Sequence, residues 1–436
     1  MPTELIGVAS IVVIVTLVFL RVPVAVSMGI VGTLGYAIVD DFDSALNRLA
    51  ATPFELSEGY SLSVVPLFIL MGAVAARSGM SQDLFKAANA LFAGRRGTVA
   101  MAAVGACAAF GAICGSSLAT AATMSRIAIP EMRRLGYDER LATGAVASGG
   151  TLGILIPPSV ILIIYAVIAQ ASVAQLFAAG LLPGLVLTVL HVIVIACLVA
   201  WRPNLAPAVS QRRMSLTERM TDIAGIWQMA VLFIIAVGGI YAGFFSPTEA
   251  AAVGSLAAIL LGFATRKISV AALLDAAAET VRTTAVLFFI VIMAFVYSYF
   301  LVLTQLPQGL VEYVVAAQWS PMAVIIALVL FYLILGCFLD ALGMILVTVP
   351  VFLPLVVSLG FSPIWFGVLL VIVVEIGLIT PPVGMNLFVI KAQLPDISLQ
   401  TLYRGVLPFL SAGVTLIVLL LIFPELALWL PGRLFG

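Results

Sequence analysis

Gly149-Gly150-Thr151-Leu152-Gly153-Ile154-Leu155-Ile156-Pro157-Pro158-Ser159 is an apolar, glycine-rich run through which a helix cannot continue. A counterpart stands late in the chain: Glu375-Ile376-Gly377-Leu378-Ile379-Thr380-Pro381-Pro382-Val383-Gly384-Met385-Asn386. Proline removes a helix donor and clashes with the preceding turn, and glycine permits unwinding, so each run reads as a long helix interrupted midway. The flanking landmarks keep register. Gly136 stands 21 residues before Pro157, Gly360 stands 21 residues before Pro381, and Gly153 and Gly377 each lie four residues before the first proline. Upstream, Gly111 opens a segment running to Pro130, and Gly336 opens a shorter one running to Pro350. The chain therefore reads as two related halves.

The 436 residues are 63% hydrophobic and 9% charged, far from the roughly 25% charge of soluble domains. Stretches long enough to cross about 30 Å of hydrocarbon recur throughout: Leu5–Leu20, Val22–Val39, Leu62–Ala76, Leu185–Ala200, Ala230–Phe245, Ala250–Ala264, Thr284–Leu303, Met322–Leu339 and Val406–Phe423. Backbone polar groups must pair within lipid, so the expected fold is an all-α integral membrane protein. The start, Met1-Pro2-Thr3-Glu4, lacks the basic region of a cleavable signal peptide, and the first run is expected to stay in the membrane. A net charge of zero gives no sign of nucleic acid as a partner. Cys107, Cys114, Cys197 and Cys337 lie in apolar segments without metal spacing and read as buried free thiols.

Charge sets the orientation, because short cytoplasmic loops accumulate Lys and Arg. Arg77, Lys86, Arg95 and Arg96 precede the first small-residue segment, and Arg126, Arg133, Arg134 and Arg140 follow it. The matching stretches of the second half, Thr304–Ser320 and Pro350–Pro363, hold no Lys or Arg. The halves are thus expected to be inverted. The same parity places Trp201–Asp222, with four arginines, and Arg266-Lys267 in the cytoplasm, and Asp40–Glu58 and the N-terminus outside. Ser81–Phe92 and Lys267–Arg282 are amphipathic and read as helices on the membrane surface, with a soluble linker helix as the alternative.

Gly105–Thr123 is nearly all Gly, Ala, Ser, Thr and Cys. Either it is a tightly packed interface, or it is a re-entrant hairpin turning near Gly111–Ser117, with Gly336–Pro350 as its counterpart from the other side. The arginine clusters before and after it can both be cytoplasmic only if it crosses the membrane an even number of times, which favours the hairpin. Unwound backbone is tolerable in lipid only where it lines a cavity or binds a cation, and interruptions at matching places in two halves point to a transport site. Asp340 and Glu375 are acids at membrane depth and functional suspects. His191, the single histidine, reads as a core or interfacial residue.

The run Gly111-Ala112-Ile113-Cys114-Gly115-Ser116-Ser117 through Pro157-Pro158-Ser159, with Gly336-Cys337-Phe338-Leu339-Asp340 and Thr380-Pro381-Pro382-Val383-Gly384-Met385-Asn386, resembles the large membrane subunit of tripartite ATP-independent periplasmic (TRAP) transporters. The resemblance spans essentially the whole chain. It implies an inverted-repeat, elevator-type sodium symporter with two re-entrant hairpins and two discontinuous helices. It also implies two partners in the bacterial or archaeal inner membrane system: a small four-helix membrane subunit, and a periplasmic binding protein delivering an organic acid such as a dicarboxylate, keto acid or sialic acid. No cofactor is expected besides sodium as coupling ion, and no enzymatic activity. No P-loop pattern is present, and a single histidine cannot supply a His-Glu-x-x-His zinc site. A stand-alone dicarboxylate or citrate carrier of the same broad fold is the alternative.

The expected organisation is scaffold helices over 1–76, a cytoplasmic arm over 77–97 and a first transport half over 98–183. Scaffold helices follow over 184–303, with a cytoplasmic loop at 201–222 and a surface helix at 267–282. A periplasmic arm over 304–320, a second transport half over 321–398 and a C-terminal helix over 399–436 complete it. Oxygen ligands at the turns and breaks make Ser116, Ser117, Gly149, Thr151 and Gly153 the expected first cation site, and Gly336, Gly377, Thr380 and Val383, with Asp340 nearby, the second. Ser117, Ser159 and Asn386 are expected to contact substrate.

Overall fold

The structure is a computed structural model that describes residues 3–92, 96–207 and 215–436. Met1, Pro2, Arg95, Arg212 and Arg213, which entered the charge and N-terminal readings, lie outside the described residues.

Helices account for the chain in order, and the interrupted segments behave as interrupted helices. The first half begins with α1 (Thr3–Phe19), α2 (Val24–Val39), α3 (Phe42–Ser57) and α4 (Val64–Arg77). The backbone then bends by 70° into α5 (Met80–Phe92). Two arms follow, α6 (Thr98–Cys114) and α7 (Ser117–Arg134), joined by Gly115-Ser116. The first broken helix is α8 (Glu139–Leu155) and α9 (Val160–Ala169), bent by 41° across Pro157-Pro158. Next come α10 (Val173–Trp201), α11 (Leu216–Ala224), α12 (Trp227–Phe233), α13 (Gly239–Tyr241) and α14 (Pro247–Ala264). The second half repeats the plan: α15 (Val270–Leu303), α16 (Leu306–Ala316), the arms α17 (Pro321–Gly336) and α18 (Ala341–Ser358), and the broken helix α19 (Pro363–Gly377) and α20 (Met385–Gln393). The chain closes with α21 (Leu399–Ile422) and α22 (Glu425–Leu434).

Among the described residues six helices are long and apolar enough to cross a bilayer, or up to eight if each bent pair is one span. Helix starts are fixed locally. Ser116, Asp138, Ser159, Ser172, Ser246, Ser320, Asp340 and Ser398 each use a side-chain oxygen to accept a first-turn N–H, which satisfies donors that lipid cannot. Packing follows the repeat: α14 lies on α4 and α2 on α15, while α6 and α7 both lie on α8, and α17 and α18 both on α19.

Several expected boundaries shift. The stretch 267–282 is no separate surface helix: from Val270 it is the start of the 34-residue α15, because no Gly or Pro separates it from the apolar run that follows. The expected division at 183/184 falls inside α10, where Pro183 is accommodated within the helix. Residues 399–436 form two helices rather than one, broken at Phe423-Pro424. The second hairpin is longer than Gly336–Pro350, since its first arm is the stretch Met322–Leu339 that reads as an ordinary span. On α5, Leu84 and Phe85 are buried but Leu91 is 60% exposed, so the buried face is set by Met80, Leu84, Ala87 and Ala88 against α6. Of the four free cysteines, Cys107 and Cys114 are buried, Cys337 is partly buried, and Cys197 faces outward on α10.

Ion pairs respect the charge-derived sides. Arg77 meets Glu279 at 2.6 Å, Lys267 meets Asp83 at 2.6 Å, and Arg133 meets both Glu139 at 2.7 Å and Asp396 at 2.6 Å, and each of these basic residues belongs to a cluster expected in the cytoplasm. The Arg133 guanidinium, hydrogen-bonded to Asp396, holds that carboxyl below the ordinary aspartate range. Arg48 and Glu55, paired at 2.8 Å, fall on the opposite side.

Inverted halves make a labelling prediction. In a cysteine-free background, Gln308→Cys and Ser362→Cys should react with an impermeant thiol reagent applied from the periplasm, and Arg134→Cys should not. Labelling of 134 and 308 from one side would remove the inverted arrangement.

Candidate functional site

Glycine brings each hairpin onto its broken helix. A Cβ on Gly111 would lie 2.3 Å from the Cα of Gly153, and one on Gly377 would lie 2.7 Å from the Cα of Gly336. These are the landmarks in register between the halves, so the same backbone-to-backbone contact is made twice. No side chain larger than hydrogen fits at either. The first tip is also tied to the first break: the Val160 N–H donates to the Gly115 carbonyl at 3.5 Å. Gly115 itself, at φ 63°, needs the left-handed conformation that lets α6 stop and the chain reverse.

Both tips and both breaks meet at one cavity of about 440 Å³. Gly115, Ser116 and Ser117 supply the first tip, Asp340 and Ala341 the second, and Val160 and Leu378 the breaks. The cavity runs from there to the ion pair of Arg77, at the start of the expected cytoplasmic arm, with Glu279. Four helices begin in its wall, α7 at Ser117, α9 at Val160, α18 at Ala341 and α20 at Met385, and each helix start carries partial positive charge. The ends of α6 at Cys114 and of α19 at Leu378 bring carbonyls to the same space. One cavity thus offers polarity suited to an anion and to a cation.

The expected first cation set is only partly gathered there. Ser116 and Ser117 line the cavity, and the Ser116 carbonyl would sit 3.0 Å from a Cβ on Gly153. Gly149 instead packs on Cys107 of α6, and the Thr151 hydroxyl donates to the Ser148 carbonyl at 2.6 Å. In the second set Gly336 and Gly377 touch, and the Thr380 hydroxyl donates to the Ile376 carbonyl at 2.6 Å. Val383 is partly buried in the loop before α20, where its carbonyl accepts from Tyr403 at 3.4 Å. Asp340 lines the cavity and caps α18 through a 3.0 Å bond from the Gly343 N–H.

Of the expected substrate contacts, Ser117 is in the cavity wall. Ser159 and Asn386 are fully buried outside it, Ser159 capping α9 at Leu162. Thr120 was missed by sequence reasoning: it is buried, bonds the Ser116 carbonyl at 2.8 Å and approaches Cys114 Sγ at 3.0 Å, bracing the first tip. Its spacing from Ser116, four residues along a helix, was the available signal. The Arg77–Glu279 pair had no sequence signal, because its members are far apart in the chain. His191 is buried against Phe409 with ring centroids 5.8 Å apart, and its Nδ1 makes no hydrogen bond.

The family model described as "Tripartite ATP-independent periplasmic transporter, DctM component" matches residues 11–426. The chain belongs to this DctM family. It is 37% identical over 410 residues to the C4-dicarboxylate TRAP transporter large permease of Pseudomonas aeruginosa, covering 94% of each chain. It is 31% identical over 421 residues to the sialic acid TRAP transporter large permease of Vibrio cholerae, covering 96% of this chain and 97% of the relative. The fold is similar to that of the YdaH transporter of Alcanivorax borkumensis, with a TM-score of 0.65 at 15% identity, over 95% of this chain and 99% of that one. The DctM-family chain is accordingly the large permease subunit of a TRAP transporter, a multi-pass protein of the bacterial inner membrane.

The paired glycines give the prediction. Gly111→Ala and Gly377→Ala should each lower the thermal midpoint of the purified permease, by an amount corresponding to about 1–3 kcal/mol of overpacking. Gly432→Ala, in α22 with nothing within 4 Å of the added methyl, should leave it unchanged or raise it slightly, since alanine is the better helix former. Equal midpoints for all three would show that the hairpins are not seated on the broken helices.

Proposed function

We propose that this permease carries out sodium-coupled uptake of an organic acid across the inner membrane, by elevator-type alternating access. The observation that carries the reading is the single cavity where two hairpin tips and two helix breaks converge. Helix starts there complement a carboxylate, and helix ends and tip hydroxyls complement sodium, a cation that takes oxygen ligands. The residues proposed for sodium are Ser116, Ser117 and the Gly153 region on one side, and Gly336, Gly377, Thr380 and the Asp340 charge on the other. Substrate would sit between the tips against Ser117. The cavity's extension toward Arg77 and Glu279 supports reading this conformation as open to the cytoplasm.

Organic-acid substrates are supported by the relatives, whose names assign C4-dicarboxylates to one and sialic acid to another. A tripartite system further implies a small membrane subunit and a periplasmic binding protein that hands substrate to the outward side. In this scheme the bodies that move are the two hairpins with α8–α9 and α19–α20, which share glycine contacts internally.

Uptake into proteoliposomes should require the small subunit, the binding protein and an inward sodium gradient together. Full uptake by the large subunit alone would instead identify a stand-alone carrier. Thr380→Val keeps the side-chain shape and removes an oxygen, so it should raise the sodium concentration for half-maximal uptake about tenfold, the equivalent of about 1.4 kcal/mol, with little loss of folded protein. Unchanged sodium dependence in both Thr380→Val and Ser117→Ala would move the coupling ion elsewhere.

A further inference from the structure

The cavity continues past the hairpin tips, and its two walls come from different parts of the chain. On one wall α4 contributes Ile69, Ala73 and Arg77, and α15 contributes Glu279, Thr283 and Leu287, each set spaced four residues apart along one helix face. A Cβ on Gly72 would lie 2.6 Å from the Cα of Cys114, so α4 crosses the first tip, and Arg77 stands beyond the crossing. On the other wall lie Ala119 and Thr123 of α7 and Met385 of α20. Arg126 and Gln393 continue those two faces, three residues after Thr123 and eight after Met385. The two are joined, the Arg126 Nε donating to the Gln393 side-chain oxygen at 2.6 Å. Each wall thus brings one arginine to the same end of the cavity.

These two differ from the arginines that only fasten the cytoplasmic surface. Farther along α7, Arg133 meets Glu139 and Asp396, and Arg134 meets Glu131. Arg126 is exposed and forms no ion pair among the described residues; its partner is a neutral amide. Arg77 is held by Glu279 through one guanidinium nitrogen at 2.6 Å, while another donates to the Ala73 carbonyl at 3.4 Å. A guanidinium carries five N–H donors in a fork that fits a carboxylate, so both arginines keep donors for a further anion. The cavity, at about 440 Å³, has the volume of a small-molecule site.

We propose that Arg77 and Arg126 form an anion-binding exit site at the cytoplasmic end of the cavity, which takes a carboxylate of the organic acid as it leaves the hairpin tips. The proposal rests on the organic-acid reading given above. The arriving carboxylate shares the Arg77 fork with Glu279 or displaces it, and Arg126 reaches it from the hairpin side. Two cations at the exit also raise the local concentration of anions. In the elevator scheme Arg126 travels with the hairpin, whereas Arg77 stays with the scaffold helix α4. The site is then whole only in the conformation open to the cytoplasm, and it draws the anion toward release.

The test is protection of a thiol placed between the tips and the arginines. Thr123→Cys, in the cysteine-free full-length chain, is labelled with N-ethylmaleimide, a neutral reagent, at rising succinate in choline buffer without sodium. Succinate should slow the labelling, and its neutral diamide should not. The half-protecting concentration should rise about tenfold in Arg77→Gln and in Arg126→Gln, the weight of one lost charge-assisted contact. Arg126→Lys, which keeps the charge, should recover part of the loss, and the labelling rate without succinate should stay the same throughout. Absence of protection in the parent overturns the proposal, as does an unchanged half-protecting concentration in either glutamine variant. Protection that appears only with sodium also overturns it, because it places the succinate at the tips. Should Arg77→Gln fail to fold with Glu279 left unpaired, the double variant Arg77→Gln with Glu279→Gln takes its place and is read in the same way. Failure here with sodium-driven uptake intact strikes the exit site alone. Protection that holds while sodium-driven uptake fails strikes the coupling reading alone.

Discussion

The constraint on which the rest depends is that backbone amides and carbonyls within hydrocarbon must find partners inside the protein. A helix broken at Pro157-Pro158 or Pro381-Pro382 leaves such groups loose in the middle of the chain's most apolar regions. The structure answers by bringing a second pair of helix ends to each break. The Gly115 carbonyl accepts from Val160 N–H, and the Leu378 carbonyl accepts from Asn386 N–H, so each break is closed by a bond from the chain on its far side or from the neighbouring tip. Ser116, Ser159 and Asp340 then cap the helices that restart, which is why these polar residues stand where composition is otherwise apolar.

Polarity at the cavity follows from that closure rather than from charged side chains. Helices that stop and restart at one level present starts and ends to the same space, and their partial charges add a field that a chain with 9% charged residues does not otherwise carry. Asp340 and the Arg77–Glu279 pair are the ionisable exceptions in the cavity wall. Exposed ion pairs of this kind contribute little stability. Their position at the mouth of the cavity is therefore the more informative property.

Much of this was legible in the sequence, for a definite reason. Proline and glycine act on the backbone directly, so two double prolines and their glycines revealed the breaks, while the arginine count set only an expectation for the sides. Landmarks in register proved to be residues in contact, Gly111 with Gly153 and Gly336 with Gly377. What sequence did not reveal depends on which way a helix face turns. Gly149 and Thr151 stand close to Gly153 along the chain, yet Gly153 faces the first tip at Ser116 and Thr120, Gly149 packs on Cys107 of α6, and Thr151 satisfies itself on Ser148. Ser159 and Asn386 looked like substrate contacts because they are polar at the breaks, but burial places them behind the cavity wall. The surface helix at 267–282 was misjudged because amphipathicity describes the first turns of a long spanning helix as well as a separate one.

The glycine pairs also set how the molecule can deform. Two helices separated by side chains can slide by repacking rotamers, but two that touch through their backbones have no such cushion: any slip drives Cα into Cα. Each hairpin is therefore geared to its broken helix as a tooth to a slot, and strain applied to one is delivered to the other undiminished. Compliance must lie where bulkier side chains and open space intervene, as where α15 meets α18 and Phe295, Leu346 and Pro350 line a common cavity. The chain has stiff joints at its two glycine crossings and soft ones around them, a mechanical division written by the smallest side chain in the sequence.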